Sequence, residues 1–331
     1  MSTKKTRALV TGGAGFIGSH LVDLLLERDY DVTVLDNLST GSANNLKHLD
    51  KGELDFIEGT LLERDDIDSA LRGCDLVFHL AALADIVPSV AHPMDYFNAN
   101  VVGTLNLLEA VRNRDVEKVV YAASSSCYGI PTQYPTPENS PIDPQYPYAL
   151  TKWMGEEALR HWGKVYGVPY TSLRLFNVYG PRSRTSGTYG AVMGVFLAQR
   201  LAAQPLTVVG DGSQSRDFTF VSDVARAFLM AAESPTSGLT LNVGSGGSYT
   251  IRDLAGMIGG DIVTLPPRAG EPHVTFADNS LIREKIGWEP EVPFHQGVEQ
   301  VLALIEDWSE APVWDLSSIA EATREWHKNL G

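Results

Sequence analysis

Short apolar runs, rich in β-branched and aromatic residues, recur along the first 180 residues, and segments with helical apolar spacing lie between several of them. The predicted strands are residues 8–11, 31–36, 54–58, 76–81, 118–123 and 170–177, and the predicted helices are residues 19–28, 93–114 and 148–166. Strands that alternate with helices in this way are typical of a parallel sheet covered by helices on both faces. We therefore expect an α/β fold for this half of the chain.

The pattern becomes less regular after residue 180, where short strands mix with short helices and where Gly and Pro are frequent. The predicted strands are residues 206–209, 239–243 and 261–265, and the predicted helices are residues 222–233, 250–258, 279–286, 294–308 and 315–330, the last capped by Asp315 or Ser317. We expect a larger domain at residues 1–180, to which some later segments return, and a smaller α/β domain made mainly of residues 181–331.

The charge of the chain limits the partners that we expect. Its 331 residues include 26 Lys and Arg against 41 Asp and Glu, which gives a net charge of −15, and 44% of the residues are hydrophobic. A surface this negative repels nucleic acid and anionic membranes, so an anionic ligand would need arginines placed beside it. We find no signal peptide, no apolar run of about 20 residues and no cluster of metal ligands. These features predict a cytoplasmic protein without a metal site, with Cys74 and Cys127 as buried thiols.

A glycine-rich loop joins the first predicted strand to the first predicted helix. Residues 12–18 read Gly-Gly-Ala-Gly-Phe-Ile-Gly, with Gly12, Gly15 and Gly18 spaced as in a dinucleotide-binding loop. Such glycines permit a tight turn, close approach of the backbone to a pyrophosphate and close packing of helix on strand. Asp36 ends the second predicted strand, where it can accept a hydrogen bond from a ribose 2′-hydroxyl and repels a 2′-phosphate. The pattern predicts a Rossmann-type, doubly wound parallel sheet that binds NAD rather than NADP.

A tyrosine and a lysine open the third predicted helix, four residues apart. This spacing places Tyr148 and Lys152 on one helix face in adjacent turns. The pKa of free tyrosine is about 10, so a neighbouring ammonium group and a positive nicotinamide ring would be needed to favour the phenolate. Ser124, Ser125 and Ser126 follow the fifth predicted strand, at the edge of the sheet where ligands bind. We predict that Tyr148 is a base that Lys152 activates.

The order of these features identifies a family. The chain resembles the extended short-chain dehydrogenase/reductase family, in its branch of NAD-dependent nucleotide-sugar epimerases and dehydratases, over about residues 6–308. Within that branch it is similar to 4-epimerases of UDP-glucose and UDP-N-acetylglucosamine. The stretches that carry the resemblance are residues 11–18, 79–82, 100–104, 124–129, 148–152, 174–182, 210–223 and 268–272.

The resemblance implies roles for residues in both halves of the chain. Tyr148 would be the catalytic base, Lys152 would tune it and hold the nicotinamide ribose, and Ser124 would hydrogen-bond the reacting sugar hydroxyl. The implied cofactor-binding residues are Gly12, Gly15, Phe16, Ile17, Gly18, Asp36, Asn37, Ser39, Thr40, Gly41, Thr60, Leu61, Leu80, Ala81, Ala82, Asn100, Tyr148 and Lys152. The implied substrate-binding residues are Ser125, Ser126, Asn177, Arg216, Arg268, Glu271 and Thr275, with the two arginines on the phosphates.

Two places in the sequence narrow the expected reaction and substrate. Dehydratases of the family carry Asp-Glu, and uronic-acid decarboxylases carry Glu, directly after the catalytic hydroxyl residue, where this chain has Ser125 and Ser126. Serine hydroxyls cannot supply a general acid or base there, so we expect inversion of C4 of a UDP-sugar through a transient 4-keto intermediate. Family 4-epimerases gate the C2 substituent at the position of Thr275, which is small. We therefore expect UDP-glucose/galactose or UDP-GlcNAc/GalNAc as substrates.

Several alternatives stay open. UDP-uronic acid epimerases, nucleotide-sugar dehydratases and 4-keto-sugar reductases are alternatives within the family, and a non-catalytic module that senses NAD is a more remote one, since such modules typically lack the tyrosine or the lysine. Family members commonly dimerise through two helices, here residues 93–114 and 148–166, so we expect a homodimer. Two departures from the family are Thr60, where an Asp often follows the glycine, and residues 311–331, for which we expect a packing or dimer role.

Overall fold

Seven parallel strands form the main sheet of the computed structural model, which describes residues 5–50, 52–184, 191–267 and 270–330. The strands of the described residues, in the main sheet and in three two-stranded sheets, are β1 (Arg7–Thr11), β2 (Asp31–Asp36), β3 (Leu54–Glu58), β4 (Leu76–His79), β5 (Lys118–Ser124), β6 (Tyr170–Leu175), β7 (Asn177–Tyr179), β8 (Leu206–Val209), β9 (Ser215–Arg216), β10 (Phe218–Phe220), β11 (Leu239–Val243), β12 (Tyr249–Thr250) and β13 (Ile262–Leu265). The order in the sheet is β11-β6-β5-β4-β1-β2-β3. The predicted fold class, a Rossmann-type doubly wound sheet, is confirmed.

Helices cover both faces of this sheet. The helices of the described residues, not all of which lie on this sheet, are α1 (Phe16–Glu27), α2 (Arg64–Ala70), α3 (Ile86–Ala91), α4 (Pro93–Tyr96), α5 (Gly103–Val111), α6 (Pro147–Tyr166), α7 (Val192–Leu201), α8 (Val221–Glu233), α9 (Ile251–Ile258), α10 (Ser280–Ile286), α11 (Phe294–Ala303), α12 (Leu316–Ala322) and α13 (Arg324–Leu330). Alternate residues of each strand point to opposite faces, so the sheet divides the core in two. Val10 packs with α1 and α8 on one face, whereas Leu9 packs with α2, α5 and α6 on the other. No helix within the described ranges is both long and apolar enough to cross a bilayer.

The segment 93–114, predicted as one helix, is divided in the structure. A π-helical segment, Phe97–Val102, lies between α4 and α5, and α5 ends at Val111 rather than at residue 114. Within the π-helical segment the Asn100 carboxamide bonds the main chain of Leu83, with its Oδ1 accepting from the Leu83 N–H at 2.8 Å and its Nδ2 donating to the Leu83 carbonyl at 3.0 Å. Wide turns of this kind are frequent next to functional sites, because they redirect a side chain without ending the helix.

The segment 170–177, predicted as one strand, breaks where the chain changes its partner strand. The Phe176 N–H donates to the Val243 carbonyl of β11 at 3.0 Å, and the next N–H, of Asn177, donates to the Asp217 carbonyl at 3.0 Å. From Asn177 onward, β7 pairs with β10 and leaves the main sheet. The chain therefore leaves the sheet at Asn177, one of the predicted substrate residues.

The segment 315–330 also differs from its prediction as one helix. Asp315 caps α12 as predicted, with its side chain accepting from the Ser318 N–H. The helix ends at Ala322, the hydroxyl of the next residue, Thr323, donates to the Ile319 carbonyl at 2.8 Å, and α13 starts at Arg324. The predicted helix is therefore two shorter helices in the structure.

The second half of the chain contributes to two cores. Phe196, Leu206, Leu254 and Phe294 belong to a separate apolar cluster that α7, α9 and α11 surround. In contrast, β11 pairs with β6, and α8 packs on α1, so both belong to the layers built by the first half. The boundary at residue 180 stays a prediction.

Candidate active site

One cavity of about 670 Å³ opens at the carboxyl ends of the parallel strands. Residues of the predicted cofactor, catalytic and substrate sets line it together, although they come from distant parts of the sequence. They are Gly12, Gly15, Phe16, Ile17, Gly18, Asp36, Asn37, Ser39, Thr40, Gly41, Thr60, Leu61, Leu80, Ala81, Ala82, Ser124, Ser125, Ser126, Tyr148, Lys152, Asn177, Arg216, Glu271 and Thr275. The strand ends thus gather one site from both halves of the chain, as expected of an open α/β sheet.

Two predicted site residues are not among these. Asn100 was predicted to contact the cofactor, but its side chain is 1% exposed and donates to the Leu83 carbonyl and the Thr151 hydroxyl, both at 3.0 Å. With its carboxamide committed to these groups, Asn100 supports the loop and helix that carry other site residues instead of reaching into the cavity. Arg268 lies outside the described residues.

The glycine loop has the shape that a pyrophosphate requires. Gly12 has a φ of +74°, and a Cβ there would lie 2.7 Å from the Ala81 nitrogen. A Cβ on Gly18 would lie 2.1 Å from the Gly12 carbonyl oxygen, so neither position can carry a side chain. No side chain of the described residues caps the start of α1. The first N–H groups of the helix therefore lack a side-chain acceptor at the end that lines the cavity. A dinucleotide phosphate fits this cradle, because it would accept hydrogen bonds from those N–H groups.

Asp36 closes the loop at the end of β2. Its Oδ2 accepts from the Ala14 N–H at 3.0 Å and its Oδ1 accepts from the Leu38 N–H at 2.9 Å. Burial raises the pKa of this carboxyl, and the two N–H donors oppose that rise. The side chain is fixed where a ribose hydroxyl next to the pyrophosphate would meet it.

Tyr148 and Lys152 lie in adjacent turns of α6, beside the serines that end β5. The Lys152 side chain is 4% exposed, and its Nζ lies 4.4 Å from the centre of the Tyr121 ring. Burial lowers the pKa of Lys152 to about 7, and the charge of Glu156 only partly opposes this. Burial also raises the pKa of Tyr148, while a hydrogen bond with Ser124 lowers it. Tyr148 therefore needs positive charge beside it before it can act as a base at neutral pH.

The pKa of Lys152 leads to a prediction about stability. Because its pKa falls from 10.5 in the unfolded chain to about 7 in the folded one, the unfolded chain binds more protons between these values. The cost of burying this charge is full below pH 7 and disappears as the pH rises toward 10.5. We expect Lys152→Met to raise the free energy of unfolding of the ligand-free protein by a few kcal/mol at pH 7, with a smaller gain at pH 10. Urea unfolding at several pH values measures this.

A second buried lysine supplies the control. The Lys118 side chain is 5% exposed, but its Nζ donates to the Ala231 carbonyl at 3.1 Å and to the Thr236 carbonyl at 2.9 Å. Lys118→Met leaves these carbonyls unsatisfied and should lower the free energy of unfolding by about 1–3 kcal/mol. If Lys152→Met destabilises the protein as much as Lys118→Met at pH 7, Lys152 does not carry a buried charge cost.

Polar groups from the second half face the opposite end of the cavity. Arg216 lies 3.7 Å from the Glu271 carboxylate and donates to the Ser215 carbonyl at 2.9 Å. Asp217, its neighbour in the sequence, is not its ion-pair partner, because that carboxylate accepts hydrogen bonds from Ser245 and from the Ala277 N–H. Arg216 therefore places a positive charge at the wall of the cavity of an acidic protein.

Thr275 fixes the side chain of Asn177. The Thr275 hydroxyl donates to the Asn177 Oδ1 at 2.8 Å and accepts from the Asp217 N–H at 3.0 Å. With its oxygen held in this way, Asn177 keeps its NH₂ group for a ligand. Thr275 thus acts on the cavity both through its small size and through Asn177.

Other residues that line the cavity could not be found from the sequence. Four of them follow α11, and nothing in their spacing indicated a site: Trp308, Ala311, Pro312 and Trp314. Tyr146 also lines the cavity, and its position two residues before Tyr148 was the one available signal. The segment after α11 therefore takes part in the site that the first half builds.

Comparisons with known proteins agree with this geometry. The family model of the NAD dependent epimerase/dehydratase family matches residues 8–244. A "Putative UDP-glucose 4-epimerase" of Methanocaldococcus jannaschii is 38% identical over 302 residues, which cover 89% of this chain and 96% of that protein.

Two solved structures extend the likeness to the fold. The UDP-glucose 4-epimerase of Thermotoga maritima, solved with UDP-glucose, is 34% identical with a TM-score of 0.86, covering 91% of this chain and 99% of the other. The UDP-N-acetylglucosamine 4-epimerase of Methanobrevibacter ruminantium, in complex with UDP-N-acetylmuramic acid, is 36% identical with a TM-score of 0.85, covering 91% and 100%. This chain therefore belongs to the NAD dependent epimerase/dehydratase family, and it is an enzyme whose cofactor is NAD.

Proposed function

We propose that the protein is an NAD-dependent epimerase that inverts C4 of a UDP-sugar through a transient 4-keto intermediate. The observation that carries this proposal is that Tyr148, Lys152 and Ser124 line the same cavity as the glycine loop and Arg216. The relatives named for UDP-sugar 4-epimerisation support it over most of the chain. Ser125 and Ser126 support it as well, because they place hydroxyls where a dehydratase needs carboxyls.

The protein's own part in the reaction is to move one proton and to hold the sugar. As a phenolate, Tyr148 would take the proton of the sugar 4′-hydroxyl. As a phenol, it would return that proton after the 4-keto sugar has rotated in the cavity to present its other face. Ser124 bonds Tyr148 and would bond the same sugar hydroxyl. Lys152, charged, would stabilise the phenolate. Bound NAD supplies the hydride acceptor and later the donor, so no cofactor is consumed overall.

Product analysis by NMR tests this proposal. Incubation with UDP-glucose and with UDP-N-acetylglucosamine should give the corresponding C4 epimers, with no net change in nicotinamide absorbance. Stoichiometric consumption of NADH would instead indicate a 4-keto-sugar reductase, and accumulation of a 4-keto-6-deoxy sugar would indicate a dehydratase. Turnover of UDP-glucuronic acid alone would indicate the uronic acid epimerase. No turnover of any UDP-sugar would contradict the proposal.

The substrate range is proposed to include N-acetylated sugars because Thr275 is small. We expect Thr275→Tyr to lower kcat/KM for UDP-N-acetylglucosamine relative to UDP-glucose by about 10- to 100-fold, since the ring would fill the space that the N-acetyl group needs. Steady-state kinetics on both sugars measures the ratio. Unmodified protein that turns over UDP-glucose but no N-acetylated sugar would show that another residue sets the range.

A second variant separates size from hydrogen bonding. Thr275→Val keeps the size but removes the hydroxyl that bonds Asn177 and the Asp217 N–H. It should lower the activity on both sugars by a similar factor, because Asn177 loses its anchor in either complex. If Thr275→Val changes the ratio as much as Thr275→Tyr does, the size of the residue is not the gate.

The assembly and location of the protein stay predictions. Exposed apolar residues on the two helical segments predicted to pair, Met94, Val102, Val165 and Tyr166, support a homodimer. Exposed apolar side chains such as these gain from burial against a second copy. The cytoplasmic location rests on the sequence features alone.

A further inference from the structure

Four residues with hydroxyl groups, Tyr146, Ser126, Ser124 and Tyr148, line the cavity, and we call them the hydroxyl chain. The Ser124 and Ser126 hydroxyls are 2.9 Å apart, and the Ser126 N–H donates to the Ser124 Oγ at 3.2 Å. Hydrogen bonding with Ser124 lowers the pKa of Tyr148, and hydrogen bonding with Ser126 lowers the pKa of Tyr146. The four residues all line the cavity, so the chain connects the base with a tyrosine to which the proposed function gives no role.

Tyr146 is held between two aromatic rings. Its ring is nearly parallel to that of Tyr148, with an angle of 7° and centroids 6.5 Å apart. On its other contact it meets the ring of Trp326, whose centroid is 5.4 Å away. Trp326 belongs to α13 and is fully buried, with 0% exposure. A ring packed against two others has little freedom, so its hydroxyl keeps one position relative to Ser126.

We propose that Tyr146 is a positioning residue that aligns the Ser124 hydroxyl through Ser126, and that Trp326 holds Tyr146 for this purpose. The inference rests on the proposed function, in which Ser124 and Tyr148 contact the reacting sugar hydroxyl. It gives the C-terminal segment a role in the site, where the sequence had indicated packing or dimerisation.

The physical reason lies in the direction of the donors. In the structure the Ser124 hydroxyl donates to the Ser126 hydroxyl at 2.9 Å. When Tyr148 becomes a phenolate, we expect this donor to turn, so that Tyr146 donates to Ser126, Ser126 donates to Ser124, and Ser124 donates to Tyr148. When Tyr148 is a phenol, the donors reverse by rotation; each residue other than the base keeps its own proton, and no bond is formed or broken. Aligned donors polarise one another, so the chain stabilises the phenolate more than Ser124 does alone. The effect acts on the base and should appear in kcat rather than in substrate binding.

The C-terminal segment is well placed to keep this arrangement. At its start, the Trp314 carbonyl accepts from the Gln199 Nε2 at 2.6 Å, and Gln199 is fully buried. At its end, α13 contacts α3 as well as Tyr146. The segment is therefore tied to both sides of the cavity, and Trp326 is its contact with the hydroxyl chain.

Kinetics of Tyr146→Phe tests the inference, because this variant removes the hydroxyl but keeps the ring against Trp326. We expect kcat for the UDP-sugar that the unmodified protein epimerises to fall about 5- to 30-fold, with KM changed less than about twofold. Trp326→Ala should show the same pattern, and Trp326→Phe should restore most of the kcat. The matched control is Tyr166→Phe, at an exposed tyrosine in the last turn of α6, the helix that starts directly after Tyr146. This variant should leave kcat unchanged.

A double-mutant cycle separates this role from a direct contact with the sugar. If Tyr146 acts through Ser126, Tyr146→Phe has no further effect on kcat in a Ser126→Ala background. If it instead contacts the sugar, Tyr146→Phe raises KM in that background as well. A KM effect of this kind, or additive effects on kcat, would overturn the inference.

The titration of Tyr148 tests the inference even if no UDP-sugar is epimerised. With ¹³Cζ-labelled tyrosine in the NAD-bound protein, Tyr146→Phe should move the midpoint of Tyr148 upward by about 0.3–1 pH unit, because a donor to the phenolate is weakened. The titratable groups that face Tyr148 are Asp85, Tyr96, Tyr121, Cys127 and Tyr146, with Lys152 one helical turn away, and only Tyr146 changes in this variant. An unchanged midpoint would refute the alignment, whereas absent epimerisation with a shifted midpoint would refute only the proposed function.

Discussion

Replacement of Tyr148 by phenylalanine is expected to lower kcat for UDP-sugar epimerisation by about 10²- to 10⁴-fold. The substitution removes the group that takes and returns the proton, while the ring keeps its contacts with Tyr146 and with Tyr96, whose centroids are each 6.5 Å away. KM should change little, because the variant leaves unchanged Asn177 and Arg216, the residues predicted to contact the nucleotide and the phosphates. Progress curves followed by NMR on UDP-glucose measure the loss.

Two controls test whether the loss of activity has another cause, such as misfolding or loss of NAD. The variant should retain NAD and its melting temperature, since the buried wall around the ring is unchanged. Tyr166→Phe, on the last turn of the same helix, should keep full activity. Activity of Tyr148→Phe within about threefold of the unmodified protein would assign the base to another group.

Removal of Glu156 alone, as Glu156→Leu, is expected to lower the free energy of unfolding by about 3–5 kcal/mol. The Arg174 guanidinium meets this carboxylate through two bonds, Nη2 to Oε1 at 2.6 Å and Nε to Oε2 at 3.0 Å. Both side chains are almost completely buried, at 5% and 1% exposure. Loss of the carboxylate would leave the guanidinium buried and uncompensated, while the Tyr128 hydroxyl and Glu138 carbonyl bond only its Nη1. Urea unfolding measures the loss.

The control is the exposed pair one residue along the same helix. Glu157 and Arg160 form an ion pair whose side chains are 41% and 51% exposed. Glu157→Leu should cost less than about 1 kcal/mol, because solvent screens the pair. The double variant Glu156→Leu/Arg174→Leu should cost much less than the sum of the two single ones. Equal losses for Glu156→Leu and Glu157→Leu would mean that the buried pair carries no special weight.

The parts of the fold and site that local spacing determines could be predicted. The glycine loop lies at the first strand–helix junction because Gly12 and Gly18 can carry no side chain there, and this requirement is visible in the sequence. The same holds for Tyr148 and Lys152, since four residues are one turn of a helix. The family, the fold class and NAD as cofactor are confirmed, whereas the individual site residues stay predictions that the geometry supports.

Features that depend on distant contacts could not be predicted. The sequence indicates an asparagine at position 100, but not that its carboxamide bonds Leu83 and Thr151 instead of facing the cavity. Trp326 reaches Tyr146 across 180 positions of chain, and the intervening fold decides that contact. The division of the last predicted helix at Thr323 is not visible in the helical pattern of the sequence either.

The pairing of β11 with β6 limits how the molecule can be recombined. β11 is an edge strand of the main sheet and pairs with β6, which belongs to the first half of the sequence. β11 itself comes from the second half. A chimera joined at residue 180 would replace this strand with a foreign one. A fragment that ended there would leave β6, whose residues are all buried in the intact protein, as an unpaired edge strand prone to aggregation. Exchange of the cofactor-binding half between relatives must therefore include α8 and β11, because the two halves of the sequence share one sheet.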